Sequence, residues 1–324
     1  MNERAYYGHE SQLFGVEEYR LTGGKGDGMR LLQVRNGKGL DFTVSADRCA
    51  DISRASLNGV NLSWFSPVGY VAPSYYDDRG LNFLRSFKGG FLTTCGLTAA
   101  GNPCSDGGEE VPLHGRIANT PADHVYYTED DRELCLYATV RQTSVFGEKL
   151  VLNRKIACPI GENRMILTDT VENQGDNREP LMMLYHMNMG YPLLDENAEL
   201  TIPSNTVAPR DSRAAEDIDS WQRMLKPQAN FVEQCYYHSF EGETGFAQLI
   251  NRKAGVGVKI SVPTDPFCCF TQWKQMGRRA YVLGLEPGNC TPDGRDVLRC
   301  EGKLKFIEPG ERQTFRLTVD FLTV

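Results

Sequence analysis

The chain has 324 residues, a net charge of −7 at pH 7 and a sequence pI near 5.4. An acidic chain is poorly suited to nucleic acid or to an anionic membrane surface, so we expect neither as a partner. The hydrophobic fraction of 40% and the charged fraction of 24% are ordinary for a globular protein, and the length suits one large all-β domain over residues 1–324.

Strand-like segments recur along the chain, rich in β-branched and aromatic residues and bounded by Gly, Asn, Asp or Pro. In chain order they cover residues 29–37, 40–48, 134–143, 150–160, 164–173, 198–204, 255–263 and 312–321. RNGKG at 35–39 and ENQGDN at 172–177 indicate hairpin turns. One helix of one or two turns is expected within 211–225. Short strands without intervening helices favour a large antiparallel sandwich over a βαβ fold.

Targeting signals are not evident. The first residues, MNERAYYGHESQLFG, contain no apolar segment typical of a secretion signal. No apolar run approaches the ~20 residues that a transmembrane helix needs. We therefore expect a soluble, cytoplasmic protein.

The ten cysteines are scattered and contain no C-x-x-C pair. Without a secretion signal, this pattern predicts reduced, mostly buried thiols rather than a disulfide framework. Cys268 and Cys269 are adjacent, so in a strand they would point to opposite faces, with one of them able to face a pocket.

Three distant segments carry candidate chemistry. LMMLYHMNMGYPLL at 181–194 predicts a strand running into a turn, and it places His186 in apolar company, where an imidazole needs a partner or a ligand. His114 follows the longest irregular stretch, residues 89–115, and long loops often carry function. Glu286 ends the apolar segment YVLGLE, directly before a Pro-Gly turn. Each of these residues also has an ordinary interpretation in the core, at the rim or in a turn.

Together these segments resemble a known family. The matching motifs are LHG at 113–115, YHMNMGYP at 185–192 and GLEPGN at 284–289, in that order, with DRCADI at 47–52, GGFLTTCGL at 89–97 and LHGRIANTPA at 113–122. In this order on an all-β chain they resemble the aldose 1-epimerase (galactose mutarotase-like) superfamily, and more closely a bacterial branch of it. The resemblance spans nearly the whole chain. It implies a large antiparallel β-supersandwich, a small-molecule sugar as partner and no organic cofactor.

The resemblance also implies roles for the three residues in interconverting sugar anomers. Glu286 would be the general base on the anomeric hydroxyl and His186 the general acid at the ring oxygen. His114 would hydrogen-bond the same oxygen or stabilise the developing charge. An imidazole with a pKa near 6.5 suits such chemistry, and a carboxylate becomes a better base when burial raises its pKa.

Substrate-binding residues are less firmly indicated. Arg85 and Arg116 are candidates for gripping the sugar, including a carboxylate, sulfonate or phosphate on it, because guanidinium groups bind such anions in a bidentate way. Arg116 would share a face with His114 if LHGRI is extended. By the resemblance, Asp265 is a candidate for a hydroxyl-binding aspartate, although it lies closer to Glu286 in sequence than the family pattern suggests.

Three more residues complete the predicted site. Asn188, two residues after His186, belongs to the family motif. Trp273 could stack on the apolar face of a sugar or could pack in the core. His238 has aromatic neighbours and suits packing as well as binding. Outside this set, Arg48 is expected to pair with Asp51 for structural reasons.

Other functions stay open. His114, His186 and Glu286 could instead hold a divalent metal in a metal-assisted sugar isomerase or lyase. Their separations of 72 and 100 residues neither support nor exclude this. A non-catalytic carbohydrate-binding protein on the same fold is a second alternative, and Cys95 or Cys104 with His114 as a nucleophilic pair is a third. The sequence leaves a homodimer open.

Overall fold

Antiparallel strands dominate the computed structural model, which describes residues 5–130 and 132–324. The first strands are β1 (Gly15–Arg20), β2 (Arg30–Arg35), β3 (Leu40–Ser45), β4 (Asp51–Leu57), β5 (Val60–Asn61), β6 (Trp64–Phe65), β7 (Gly89–Gly90), β8 (Leu92–Cys95), β9 (Cys104–Asp106), β10 (Glu109–Val111), β11 (Ala122–Glu129), β12 (Glu133–Thr143) and β13 (Lys149–Pro159). The rest are β14 (Arg164–Asn173), β15 (Glu179–Pro180), β16 (Leu184–Met189), β17 (Glu199–Thr201), β18 (Thr206–Pro209), β19 (Gln234–Ser239), β20 (Thr244–Asn251), β21 (Val256–Pro263), β22 (Cys269–Gly277), β23 (Ala280–Gly288), β24 (Phe306–Ile307) and β25 (Arg312–Thr323).

Helices are short. The α-helices are α1 (Ser212–Ala215) and α2 (Arg295–Cys300), and 3-10 turns cover Glu10–Gln12, Gly24–Gly26, Pro73–Tyr75, Asn82–Arg85, Ile117–Asn119 and Ile218–Ser220. The helix expected within 211–225 is therefore α1 followed by one 3-10 turn. In the described part of the chain, no helix has the length and apolar character needed to span a membrane.

Three sheets build the architecture. An eight-stranded sheet has the order β11-β12-β13-β14-β25-β21-β20-β17, and a six-stranded sheet has the order β18-β19-β22-β23-β16-β8. A five-stranded sheet, β1-β2-β3-β4-β5, precedes them in sequence. The fold is thus the all-β, antiparallel supersandwich that the sequence predicts.

The core lies between the sheets because apolar residues alternate along the strands. In β25 every second residue from Phe315 to Phe321 is buried, which is the pattern of a strand with one face in the core. The largest hydrophobic cluster joins these residues to Tyr185, Met187 and Leu285 of the six-stranded sheet.

Strand β16 is buried on both faces, from Leu184 to Met189. Tyr185, Met187 and Met189 belong to the main core, so the alternate residues of this strand point to the opposite side of the sheet. This explains how a histidine can lie in an apolar run: His186 is on the side away from the sandwich core.

A buried ionic cluster links the strands near the centre. Arg154 donates to both oxygens of Asp169, at 2.9 and 2.7 Å, and to Asp51 Oδ1 at 2.7 Å. The hydroxyl of Tyr185 also donates to Asp169, at 2.9 Å. The expected pairing of Arg48 with Asp51 is therefore wrong, since Arg154 takes that carboxylate. Arg48 instead donates to backbone carbonyls.

All ten cysteines carry free thiols, as predicted, and six of them are buried. The opposed orientation expected for Cys268 and Cys269 is not found. Only Cys269 lies in β22, and the two sulfur atoms are 3.9 Å apart.

Candidate active site

The candidate site is built on the outer face of the six-stranded sheet, where β16, β23 and β22 lie side by side. Met187 pairs with Leu285, which places His186 and Glu286 next to each other on one face. Thr271 pairs with Glu286 from the other side. The register of these three adjacent strands thereby places three polar side chains side by side on one face of the sheet.

His186 and Glu286 are close and nearly inaccessible. His186 Nε2 lies 3.3 Å from Glu286 Oε1, and the two side chains are only 5% and 3% exposed. This contact lacks hydrogen-bond geometry. Among residues 5–130 and 132–324, Glu286 Oε1 therefore has no hydrogen-bond partner, nor do the buried His186 Nδ1 and Thr271 Oγ1. Buried polar atoms rarely lack a partner, and those found in clefts are satisfied by a ligand or water.

His114 reaches the same place from the long loop. Its backbone has φ = 59°, a left-handed conformation that a non-glycine residue seldom adopts outside turns and functional sites. The ring centroid lies 5.5 Å from that of His186. The Nδ1 atom accepts a hydrogen bond from the Gly101 N–H at 3.3 Å, which leaves the proton of the neutral ring on Nε2.

These three residues line one cavity of about 500 Å³, within the size range of small-molecule sites. The lining of the cavity includes Trp64, Phe87, His114, His186, Arg210, Glu233, Cys235, Thr271, Trp273 and Glu286. The convergence of residues 114, 186 and 286 is the arrangement on which the predicted chemistry depends.

Aromatic rings form one wall of the cavity. Trp273 meets His186 edge-on, with ring centroids 5.3 Å apart, and Trp64 meets Trp273 edge-on at 6.0 Å. The indole Nε1 of Trp273 donates to Glu233 Oε2 at 2.7 Å, and Arg210 Nη2 donates to Glu233 Oε1 at 3.1 Å. The Trp273 ring is thus held in place by a carboxylate that is itself paired.

Burial sets the protonation of the site. It raises the pKa of Glu286 well above its usual range, with the Glu233 charge adding to the rise and Arg210 opposing it. Burial lowers the pKa of His186 well below its usual range, and nearby His114 lowers it further. Burial alone lowers the pKa of His114 to about 4. Burial thus favours the uncharged form of all three side chains.

Gly284 makes room for this geometry. A methyl group at Gly284 would lie 2.2 Å from Glu286 Oε1 and 3.0 Å from Trp273 Cβ, both closer than atoms normally approach. The glycine in the VLGLE segment therefore permits the close approach of the acid and the aromatic wall.

Three predicted substrate-binding residues lie elsewhere. Arg85 is exposed and donates to Asn82 Oδ1 at 3.3 Å. Arg116 pairs with Asp78 at 3.0 Å and with Glu109 at 2.8 Å. The left-handed backbone at His114 breaks the extended LHGRI geometry that would have placed both residues on one face. Asp265 is exposed in the turn between β21 and β22.

Two others are buried in structural roles. His238 hydrogen-bonds Ser204 at 3.0 Å and Gln272 at 3.1 Å, with Trp221 against its ring. It lies on the opposite face of β19 from Cys235, which lines the cavity. Asn188 donates to the carbonyl of His186 at 2.9 Å and is fully buried. Neither residue lines the cavity, whereas Trp273 does.

The sequence reasoning missed Trp64, Arg210, Glu233 and Thr271. Trp64 was within reach, because the chain has only three tryptophans and two of them line the cavity. Because side chains alternate along a strand, Thr271 and Trp273 share one face of β22, and this could have identified Thr271 as well. Arg210 and Glu233 come from loop ends next to β18 and β19, and no local pattern marks them.

The metal alternative finds no donor set in the structure. Within residues 5–130 and 132–324, no group of three or more His, Cys, Asp or Glu side chains is arranged to hold a metal ion. His114, His186 and Glu286 share the cavity without forming such a group.

Solved structures share this fold. A Klebsiella pneumoniae protein assigned as an aldose 1-epimerase has a TM-score of 0.90 at 27% identity, covering 96% of this chain and 84% of the other. A galactose 1-epimerase from Lactobacillus acidophilus has a TM-score of 0.64 at 12% identity, covering 96% and 99%. A galactose mutarotase-like protein from Clostridium acetobutylicum has a TM-score of 0.65 at 14% identity, covering 97% and 100%.

The fold and these relatives define a galactose mutarotase-like protein, related to the aldose 1-epimerases at the level of the superfamily, as the motifs predict. Residues 26–321 match the family model described as Domain of unknown function (DUF4432). The chain belongs to this family. No curated protein matches it.

Proposed function

We propose that the protein interconverts the α and β anomers of an uncharged sugar by acid–base catalysis in this cavity. One observation carries the proposal: His114, His186 and Glu286, which are far apart in sequence, line a single cavity large enough for a monosaccharide. The Klebsiella pneumoniae relative supports the same reaction class.

The close pair supplies the acid and the base. Before a sugar binds, the neutral forms are favoured, with the shared proton on Glu286, because burial disfavours both charged forms. Sugar hydroxyls that hydrogen-bond the unpartnered atoms would stabilise the charged forms, and the proton can then pass across the 3.3 Å gap to His186. Glu286 takes the proton of the anomeric hydroxyl as His186 protonates the ring oxygen and the bond from that oxygen to the anomeric carbon breaks.

Ring closure reverses these transfers. Rotation of the open-chain aldehyde presents its other face to the ring hydroxyl. His186 then recovers the proton from that hydroxyl, Glu286 returns one to the carbonyl oxygen, and the other anomer forms. No atom is gained or lost, so the cycle needs no further reactant.

His114 acts as a hydrogen-bond donor rather than as an acid. Its pKa of about 4 keeps the ring neutral, and Gly101 holds Nδ1 as the acceptor. The remaining Nε2–H can stabilise the ring oxygen as its bond breaks. This refines the role that the family resemblance implies.

An uncharged substrate follows from the charges that line the cavity. Arg210 is the only arginine or lysine among the lining residues of the described chain, and Glu233 and Asp211 both pair with it. The arginines predicted to bind an acidic group, Arg85 and Arg116, lie outside. An acidic sugar would therefore enter without an unpaired cation to receive it.

Two-dimensional NMR exchange spectroscopy on neutral hexoses, pentoses and deoxy sugars, with uronic acids beside them, tests the proposal. We expect accelerated anomer exchange for one or more neutral sugars, and exchange at least about 100-fold slower in the Glu286→Gln and His186→Asn variants. The exposed Asp265→Asn variant is the matched control and should keep the wild-type rate.

Binding of a sugar without accelerated exchange would mean a non-catalytic carbohydrate-binding protein. Exchange that survives in both site variants would refute the assigned roles.

A further inference from the structure

A second cavity lies behind the wall of the sugar site. Phe87 lines the sugar cavity, while the next residue, Lys88, lines a separate pocket with Ser45, Arg48, Asp51 and Tyr70. The second pocket has a volume of about 20 Å³, enough for one water molecule or one monatomic ion.

This pocket has an excess of positive charge. Neither Lys88 nor Arg48 forms an ion pair with any residue in the described ranges 5–130 and 132–324. Asp51 lines the pocket, but its oxygens accept hydrogen bonds from Thr94 and from Arg154.

Asp169 also pairs with Arg154. With Lys88 protonated, the group of Arg48, Lys88, Arg154, Asp51 and Asp169 carries three positive and two negative charges. One positive charge then has no counter-ion, and burial together with the charges of Arg54 and Arg48 lowers the pKa of Lys88 to about 7.

Hydrogen-bond donors in the pocket are available to a ligand. Ser45 is 2% exposed, and its Oγ is buried without a hydrogen-bond partner in the described structure. Lys88 Nζ donates to the Ser53 carbonyl and lies against the rings of Phe65 and Tyr70, at 4.3 and 4.5 Å from their centroids. An ammonium group has three N–H donors, so this arrangement leaves donors unused.

We propose that this pocket binds one small monovalent anion, such as chloride. The anion would accept hydrogen bonds from Lys88 and Ser45 and would supply the missing counter-charge. A partly buried ammonium without a counter-ion is disfavoured, and a buried hydroxyl without a partner is also unfavourable. The proposal is independent of the anomer exchange assigned to the larger cavity.

Occupancy would bear on the sugar site through the backbone. Arg48 donates to the carbonyl of Ser86 at 3.0 Å, directly before Phe87 and Lys88. An anion bound to Lys88 would therefore hold the segment that presents Phe87 to the larger cavity.

The test uses bromide as a probe that X-rays can identify. Crystals grown without halide and soaked in sodium bromide should show an anomalous peak in contact with Lys88 Nζ and Ser45 Oγ. Electron density without an anomalous signal would mean water, and bromide only at surface sites would mean an adventitious ion only. Either result overturns the proposal.

Solution measurements give a second criterion. At equal ionic strength, replacing methanesulfonate, which is too large for the pocket, by chloride should raise the Tm by about 2 °C at about tenfold the chloride Kd. The rise should vanish in Lys88→Met and shrink in Ser45→Ala, a milder variant that remains informative if Lys88→Met does not fold. If chloride raised the Tm of wild type, Ser45→Ala and Lys88→Met by the same amount, the site would be refuted.

Discussion

Glu233 accepts a hydrogen bond of 2.7 Å from Trp273 and forms an ion pair of 3.1 Å with Arg210. One carboxylate thus holds both the aromatic wall and the arginine of the cavity in place. Its charge also contributes to the raised pKa of Glu286. Glu233 is therefore a positioning residue: it orients the Trp273 ring, neutralises Arg210 and raises the pKa of Glu286.

Removing that charge should alter sugar preference. In Glu233→Gln, Arg210 loses one of its two carboxylate partners and becomes a partial receptor for an anion. We expect the KM for uronic acids to fall roughly 3- to 10-fold relative to neutral sugars, the effect of about 1 kcal/mol of partly exposed ion pairing. Measuring anomer exchange against sugar concentration tests this, with Glu233→Asp as the charge-retaining control. An unchanged preference would mean that Arg210 does not govern substrate charge.

Substitution of Glu286 or His186 should slow anomer exchange, and in Glu286→Gln the stability at pH 8 should nevertheless rise. Glu286→Gln and His186→Asn should each slow exchange by roughly 10²–10⁴-fold. A raised carboxyl pKa means that stability decreases as pH rises above the unfolded pKa of about 4.3, until the folded pKa is passed. Glu286→Gln should remove that decrease and be more stable than wild type at pH 8, as urea unfolding would reveal. Lower stability of Glu286→Gln at that pH would contradict the neutral carboxyl.

Acid should destabilise the protein through His238. Burial lowers the pKa of this ring to about 4, whereas the unfolded chain titrates near 6.5. Between pH 6.5 and about 4 the His238 ring binds a proton in the unfolded state but not in the folded state. The free energy of unfolding therefore falls as pH decreases through this range. His238→Gln should reduce this slope by up to about 1.4 kcal/mol per pH unit between pH 6.5 and 4. Urea unfolding at several pH values measures it, and identical slopes would refute the prediction.

A single methyl group at Gly284 should disturb the site. In Gly284→Ala the new Cβ would collide with the Glu286 carboxyl and with the base of Trp273. We expect exchange to slow by at least 10-fold, because small displacements of reacting groups have large effects on rate. Gly257→Ala, whose methyl would crowd Ile250 in the eight-stranded sheet, is the control for strand crowding alone. Equal losses of activity in both variants would point to a general folding defect.

The buried ionic cluster around Asp169 should contribute more to stability than the surface ion pair of Arg164 and Asp320. Asp169→Asn removes one of the two carboxylates that pair with Arg154 in the core, and we expect a loss of about 3–5 kcal/mol in the free energy of unfolding. Asp320→Asn removes one of the two carboxylate partners of Arg164, in a pair that is 45% and 23% exposed, and should lose less than about 1 kcal/mol. Denaturant unfolding of both variants tests the contrast, and similar losses would be inconsistent with it.

The outcome for the predicted site residues follows from how each signal is encoded. His186 and Glu286 were predictable because each is a polar residue in an apolar run, which is a local pattern. The structure places both inside their strands, β16 and β23, rather than at the strand ends that the sequence suggests. Arg116 was misplaced because its expected side depended on an extended backbone, and the left-handed conformation of His114 turned the chain. Arg210 and Glu233 escaped notice because charged residues beside strands are common in any sequence.

The sequence by itself determined most of the long strands and the antiparallel sandwich, because alternation and turn residues act over a few neighbouring positions. It also indicated the three candidate catalytic residues, through short motifs that resemble those of a known family. Tertiary structure alone decided which charges face the cavity, which arginine pairs with which carboxylate, and which protonation states burial imposes. These properties depend on distances between residues from remote strands and on exclusion of water, and neither is written in any short stretch of the chain.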